Sequence, residues 1–211
     1  MIMKIYSCCL LAFLVIIPVA NIFSQSRIGI TNKPDTSYNS RVAYAQTIKT
    51  HPDIKLVKKF SFANVTEKRN IPYRKIGSRE LKLDAFLTKE KSKSPATAIL
   101  IIHGGGWRSG NRTQHYPLAQ KLASLGYVCF TPEYRLSTEA LFPAAIYDIK
   151  DAIRWVRKNA ETYNIDPSKV VALGFSETVN DVANRIVADV AHVKPAGGVG
   201  EHLKDVVFLL L

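Results

Sequence analysis

An unbroken apolar run, Ala98-Ile99-Leu100-Ile101-Ile102, leads straight into His103-Gly104-Gly105-Gly106-Trp107 and out through Arg108-Ser109-Gly110. An apolar run with no polar alternation reads as a buried strand of a parallel sheet. The glycines after it remove every Cβ from the turn that follows. The backbone there is free to take positive φ and to aim N–H groups into one shared cavity. Paired donors of that kind are what acyl transfer needs where negative charge develops on a carbonyl oxygen.

The same alternation continues downstream. A helix is expected over Pro117 to Ser124, with Leu118, Leu122 and Ala123 inward and Gly126 as its stop. A strand over Tyr127–Pro132 follows, then Glu133-Tyr134-Arg135-Leu136-Ser137. A longer helix is expected from Pro143 to Tyr163, with an apolar stripe at Ala145, Ile149, Ala152, Ile153 and Val156. Asn164-Ile165-Asp166-Pro167-Ser168 then turns into a third buried strand, Lys169 to Leu173. Upstream, Ile71–Ile76 and Leu81–Leu87 around Gly77-Ser78 read as a hairpin. The pattern predicts an α/β fold: a mostly parallel sheet with an antiparallel N-terminal hairpin.

The first residues read as a targeting segment. Lys4 is the only charge before Arg27, Cys8 to Ala20 is apolar, and small and polar residues follow to Ser24 and Gln25, the order of a secretory signal peptide over residues 1–24. An uncleaved membrane anchor is the competing reading, because Ile5 to Phe23 nearly suffices to span a bilayer. Export to the periplasm, cell envelope or medium follows from either. Beyond residue 24 the only cysteine is Cys129, inside the apolar run Tyr127-Val128-Cys129-Phe130, and it is expected to be a buried structural thiol.

Residues 25–69 are polar and basic and read as an arm or linker, with the main domain over 70–211. The net charge of +12 concentrates in residues 48–93, where cations alternate with apolar residues. Stretches such as Arg79-Glu80-Leu81-Lys82-Leu83-Asp84 therefore read as solvated strand faces. No basic helix interleaved with aromatics occurs, which argues against nucleic acid as a partner. Attraction to acidic polysaccharide or anionic lipid stays open.

The third strand ends at Gly174-Phe175-Ser176, a serine at a strand-to-helix corner. With HGGGW at 103–107, EYRLS at 133–137, FPAAIYDIKDAIRWVRKNA at 142–160 and VVALGFS at 170–176, the chain resembles the α/β-hydrolase superfamily. It is most similar to the esterase/lipase branch that includes secreted carbohydrate esterases and feruloyl-esterase-like proteins. The resemblance implies Ser176 as nucleophile, with the backbone N–H groups of Gly105, Gly106 and Glu177 as oxyanion donors. His103 would support the glycine loop and not act as base, and Trp107 would pack beneath the pocket or line it. Asp148 and Arg154 are expected to be surface or structural charges. The substrate implied is a small-molecule or polysaccharide ester, with no cofactor and no metal ion.

The chain departs from the family pattern after Ser176. The nucleophile elbow calls for Gly-x-Ser-x-Gly, and Thr178 stands at the last position. A triad also needs a later Asp or Glu and then a His, each on a further strand-helix unit. Residues 177–211 are short for that. They offer Asp181, Asp189, Asp205, His192 and His202, with helical spacing over 178–192 and a flexible turn at Gly197-Gly198-Val199-Gly200. The pattern reads as a truncated hydrolase domain or a frameshifted or chimeric gene end, with no serine-dependent turnover expected. A non-catalytic binding or scaffold protein, and peptidase or amidase chemistry on the same fold, are the alternatives.

Overall fold

The computed structural model describes residues 29–90 and 92–175, and the backbone of a short strand at Phe208–Leu210. In chain order the elements are α1 (Ser40–Thr47), β1 (Val65–Ile76), β2 (Arg79–Thr88), β3 (Ala96–Ile102), α2 (Tyr116–Ser124), β4 (Val128–Pro132), α3 (Ala144–Lys158), α4 (Ala160–Tyr163), β5 (Ile165–Gly174) and β6 (Phe208–Leu210). The strands form one sheet in the order β1-β2-β4-β3-β5-β6. β1 and β2 form the expected antiparallel hairpin, and β2 runs antiparallel to β4. The pairs β4–β3, β3–β5 and β5–β6 are parallel. The molecule is an α/β fold on a mixed sheet.

The apolar run of β3 is explained by layers on both sides of the sheet. Ala98, Leu100 and Ile102 join Leu83, Phe130 and the α3 residues Ile149, Ile153 and Val156 in one core. Ile99 and Ile101 face the other way, with Phe86, Cys129, Leu173 and the α2 residues Ala119 and Ala123. Side chains alternate across a strand, so a strand covered twice must be apolar at every position. Cys129 lies in this second layer, buried and free of any disulfide, and burial pushes its thiol well up. It is the structural thiol that its apolar neighbours implied.

Several boundaries differ from the sequence expectation. β1 begins at Val65 and takes in residues whose basic character suggested the arm, because Val65–Lys68 pair with Thr88–Ala85 across the hairpin. The helix expected from Pro143 to Tyr163 is two helices, α3 and α4. Asn159 divides them: its side-chain Nδ2 donates to Trp155 O at 2.7 Å, an asparagine competing with the helix for a backbone carbonyl. Asn164, at φ 51, then closes α4 in the left-handed region. Asp166-Pro167-Ser168 is a bulge within β5, not a turn before it. Ala96 pairs with Ile165 and Ala98 with Val170, so Asp166, Pro167, Ser168 and Lys169 loop out between paired positions.

Asp84, read from the sequence as part of a solvated strand face, is buried, and Asp148 is the structural one of the two alternatives expected of it. Asp84 and Asp148 are both fully buried. Asp84 Oδ1 accepts from Asn70 N at 2.7 Å, and Oδ2 takes Arg112 Nε at 2.9 Å and the Tyr116 hydroxyl. Burial opposes its charge, yet these donors hold the carboxyl below the usual range. Asp148 is held by Arg74 Nη1 at 2.7 Å, Arg135 Nε at 2.8 Å and Arg135 Nη2 at 2.9 Å. Arg154, by contrast, is the expected surface charge, paired with Asp151 at 2.7 Å.

Candidate active site

The strand order turns back on itself at β3. β4 lies on one side of it and β5, reached by the crossover through α3 and α4, lies on the other. Ligands of α/β sheets bind beyond the carboxyl ends of strands at such reversals. Ile102, the last residue of β3, pairs with Gly174, the last residue of β5. The glycine turn and Phe175 therefore leave the sheet from adjacent strands at one edge. Ser176 and Glu177 lie outside the described residues, as do Asp181, Asp189, His192, His202 and Asp205 of the tail.

The turn has the conformation that its glycines allow. Gly105 stands at φ 125, Gly106 at φ 59 and Trp107 at φ 58. A Cβ on Gly105 would overlap the Ser109 carbonyl, so no other residue fits this position. The Gly105 carbonyl accepts from Arg108 N at 3.1 Å and Ser109 N at 3.0 Å, which closes the turn. Among the described residues nothing accepts a hydrogen bond from the N–H groups of Gly105 or Gly106. Two neighbouring unspent donors at a sheet edge can hold an oxyanion or a carbonyl oxygen.

Trp107 is the costly position, since a bulky residue seldom adopts positive φ. Two contacts hold it there. Its carbonyl accepts from Ser137 N at 2.8 Å, and its ring packs edge-on against Tyr134, centroids 5.3 Å apart. Trp107 packs against the buried core on the α3 side, which is the packing role expected of it.

His103 supports the turn from below and is only 2% exposed. Its Nδ1 lies 3.0 Å from the Gly104 carbonyl, which makes that nitrogen the protonated one. Burial lowers its pKa from 6.5 to about 4, only partly offset by the hydrogen bond to Gly104. It is a neutral, donating histidine and a poor base at neutral pH.

The EYRLS segment is the frame around the turn. Tyr134 lies under His103, Ser137 holds Trp107, and Arg135 is anchored on Asp148. Glu133 takes Arg112 and Arg79, which ties the chain beyond the turn back to β2.

One residue near the site escaped the sequence reading. His115, just ahead of α2, stacks on Phe175 with centroids 3.8 Å apart, beside the residue that precedes Ser176. Burial first, and the nearby His103 second, lower its pKa to about 4. Its position where the loop from HGGGW enters a helix was the available signal. A separate cavity of about 200 Å³, lined by Phe60, Phe62, Val65, Glu67 and Gln120 among others, includes no residue of the turn.

The BD-FAE family profile matches residues 83–178, from β2 to just past the end of β5. The chain is 37% identical over 109 residues to Esterase LipQ of Mycobacterium tuberculosis, covering 51% of this chain and 26% of LipQ. It is 33% identical over 95 residues to Esterase LipC of the same organism, covering 44% of this chain and 24% of LipC. Among solved structures it is similar to the butyrate-bound thermophilic esterase Est2 of Thermogutta terrifontis. That match has TM-score 0.49 and 32% identity and covers 54% of this chain and 41% of the esterase. The sequence matches support an α/β-hydrolase esterase family. The chain spans about a quarter of the length of LipQ and LipC.

Proposed function

We propose that this chain carries the oxyanion and nucleophile half of a carboxylic-ester hydrolase site, on an exported protein whose residues 1–24 are its signal peptide. The substrates are esters of short acyl or aromatic acids, including those borne by polysaccharide. The pairing of Ile102 with Gly174 carries the reading, because the glycine turn follows Ile102 directly in the chain and Ser176 follows Gly174 by two residues. In the proposed reaction Ser176 Oγ adds to the ester carbonyl carbon as a base takes its proton. Gly105, Gly106 and Glu177 N–H hold the oxyanion, and its collapse expels the alcohol and leaves an acyl-serine for water to cleave.

Among the described residues, the two histidines near the turn are poor bases at neutral pH. His103 is buried and His115 half-buried, and both are neutral rings already stacked on Tyr134 and Phe175. We therefore expect the 211-residue polypeptide to hydrolyse p-nitrophenyl acetate no faster than Ser176→Ala. Added imidazole supplies a base, and a rate increment that depends on Ser176 should then appear. A Ser176-dependent rate without imidazole would show that the chain provides its own base. No increment at any imidazole concentration would favour the second reading, a hydrolase-like binding domain, for which Thr178 in the elbow speaks.

A further inference from the structure

We infer that residues 31–38, ahead of α1, are a positioning clamp for the glycine turn; the catalytic consequence rests on the ester-hydrolase reading, the clamp itself does not. Composition marks these residues as a polar tether. In the structure their backbone is hydrogen-bonded to both flanks of the turn.

On the outgoing flank, Gly110 N donates to Asp35 O at 2.9 Å, and Gln114 Nε2 donates to Tyr38 O at 3.1 Å. Gly110 is no passive anchor. It sits at φ 110, and a Cβ there would come within 2.5 Å of Gly104 O and 2.8 Å of His103 Nδ1. Its α-carbon thus rests directly on the first residues of the turn. Holding Gly110 holds the base of the turn that carries Gly105 and Gly106.

The other flank is held through Thr138. The Thr138 carbonyl accepts from Thr31 N at 2.9 Å and Asn32 N at 3.0 Å, and its Oγ1 donates to Lys33 O at 2.8 Å. Its neighbour Ser137 donates to Trp107 O, the contact that keeps Trp107 at positive φ. The arm therefore grips one residue beyond each end of the machinery: Gly110 after the turn, and Thr138 after the segment that frames it. A displacement of about 1 Å in donors of this kind lowers a rate by up to about a hundredfold.

The test removes the clamp and reads the turn with and without substrate. The variants are deletion of residues 31–38 and the milder Thr138→Val. Thr47→Val is the control, since it loses only the bond from Thr47 Oγ1 to Ala43 O within α1 and touches neither grip. Amide hydrogen exchange at Ser109 and Ser137, whose acceptors are Gly105 O and Trp107 O, is expected to quicken about tenfold in the deletion. In Thr138→Val the increase should be smaller and confined to Ser137, while β3 and β4 amides stay unchanged in both variants. With imidazole present, the Ser176-dependent kcat should fall about tenfold in the deletion with KM held within about twofold. Unchanged exchange at Ser109 and Ser137, or equal acceleration in β3 and β4, overturns the clamp. A parent without any Ser176-dependent rate overturns the hydrolase reading alone, because exchange still decides the clamp.

Discussion

The ring of His103 lies flat on that of Tyr134, centroids 4.3 Å apart and 12° from parallel, and the Tyr134 hydroxyl donates to the His103 carbonyl at 2.8 Å. One residue of the 133–137 segment thus supports both the side chain and the backbone at the start of the glycine turn. Burial raises the pKa of Tyr134, so the hydroxyl remains a donor at any ordinary pH. Tyr134→Phe keeps the stack and loses the hydrogen bond, leaving a buried carbonyl short of a partner. The expected loss is about 1–2 kcal/mol in urea unfolding, whereas Tyr134→Ala, which also opens a cavity, should cost about 3–5 kcal/mol. Equal losses in the two variants would contradict this division of roles.

Stability should fall on mild acidification. An unfolded histidine titrates near 6.5, whereas folded His103 is lowered to about 4, so between these values the unfolded chain binds more protons. The contribution is full above about pH 7, declines as the pH falls through 6.5, and is exhausted near pH 4. It amounts to about 3 kcal/mol for His103. His115 shifts in the same direction and steepens the same window. Urea midpoints measured from pH 7.5 to 4 check this, and His103→Asn should flatten the curve.

Two glycines at positive φ should respond differently to alanine. Gly77, at φ 57 in the hairpin turn, has open space where a Cβ would stand, so Gly77→Ala should cost only about 1 kcal/mol. At Gly110 the Cβ would collide with Gly104 O and His103 Nδ1, so Gly110→Ala should cost more than about 2 kcal/mol. A near-ultraviolet circular dichroism change from Trp107 and Tyr134 should accompany the second variant and be absent from the first.

The two charges of α3 that the sequence left together should separate under mutation. Asp148→Ala strands Arg135 beside a buried void and leaves Arg74 with Asp151 alone, and is expected to cost about 3–5 kcal/mol. Arg154→Ala breaks an exposed pair with Asp151 and should stay within about 0.5 kcal/mol. Thermal and chemical unfolding of the two single variants decide the point.

The elements around the site were legible wherever the signal is local. β3, β4 and the end of β5 announce themselves as short apolar runs, and the glycine turn by a composition that few other structures require. α2 was found as well, though rotated: Tyr116, Ala119, Gln120 and Ala123 form its buried face, with Leu118 and Leu122 at the margin. Periodicity alone fixes a stripe to within about one residue. The buried carboxylates were not legible. Asp84 alternates with apolar neighbours just as an exposed residue would, and only the approach of Tyr116 and Arg112 makes its burial tolerable.

What the sequence alone determined is the order of parts: strand, glycine turn, helix, strand, the 133–137 segment, a helical stretch and a strand. Those follow from backbone sterics and side-chain period, which act within a few residues. Tertiary structure decided which ends meet and what braces them. Ile102 stands beside Gly174 because β3 and β5 are neighbours, and Asp35 and Thr31 reach Gly110 and Thr138 because chain segments far apart in sequence converge at that edge. Hydrogen bonds made by backbone atoms carry no side-chain signature. A clamp built from them can be seen only once the chain has folded around it.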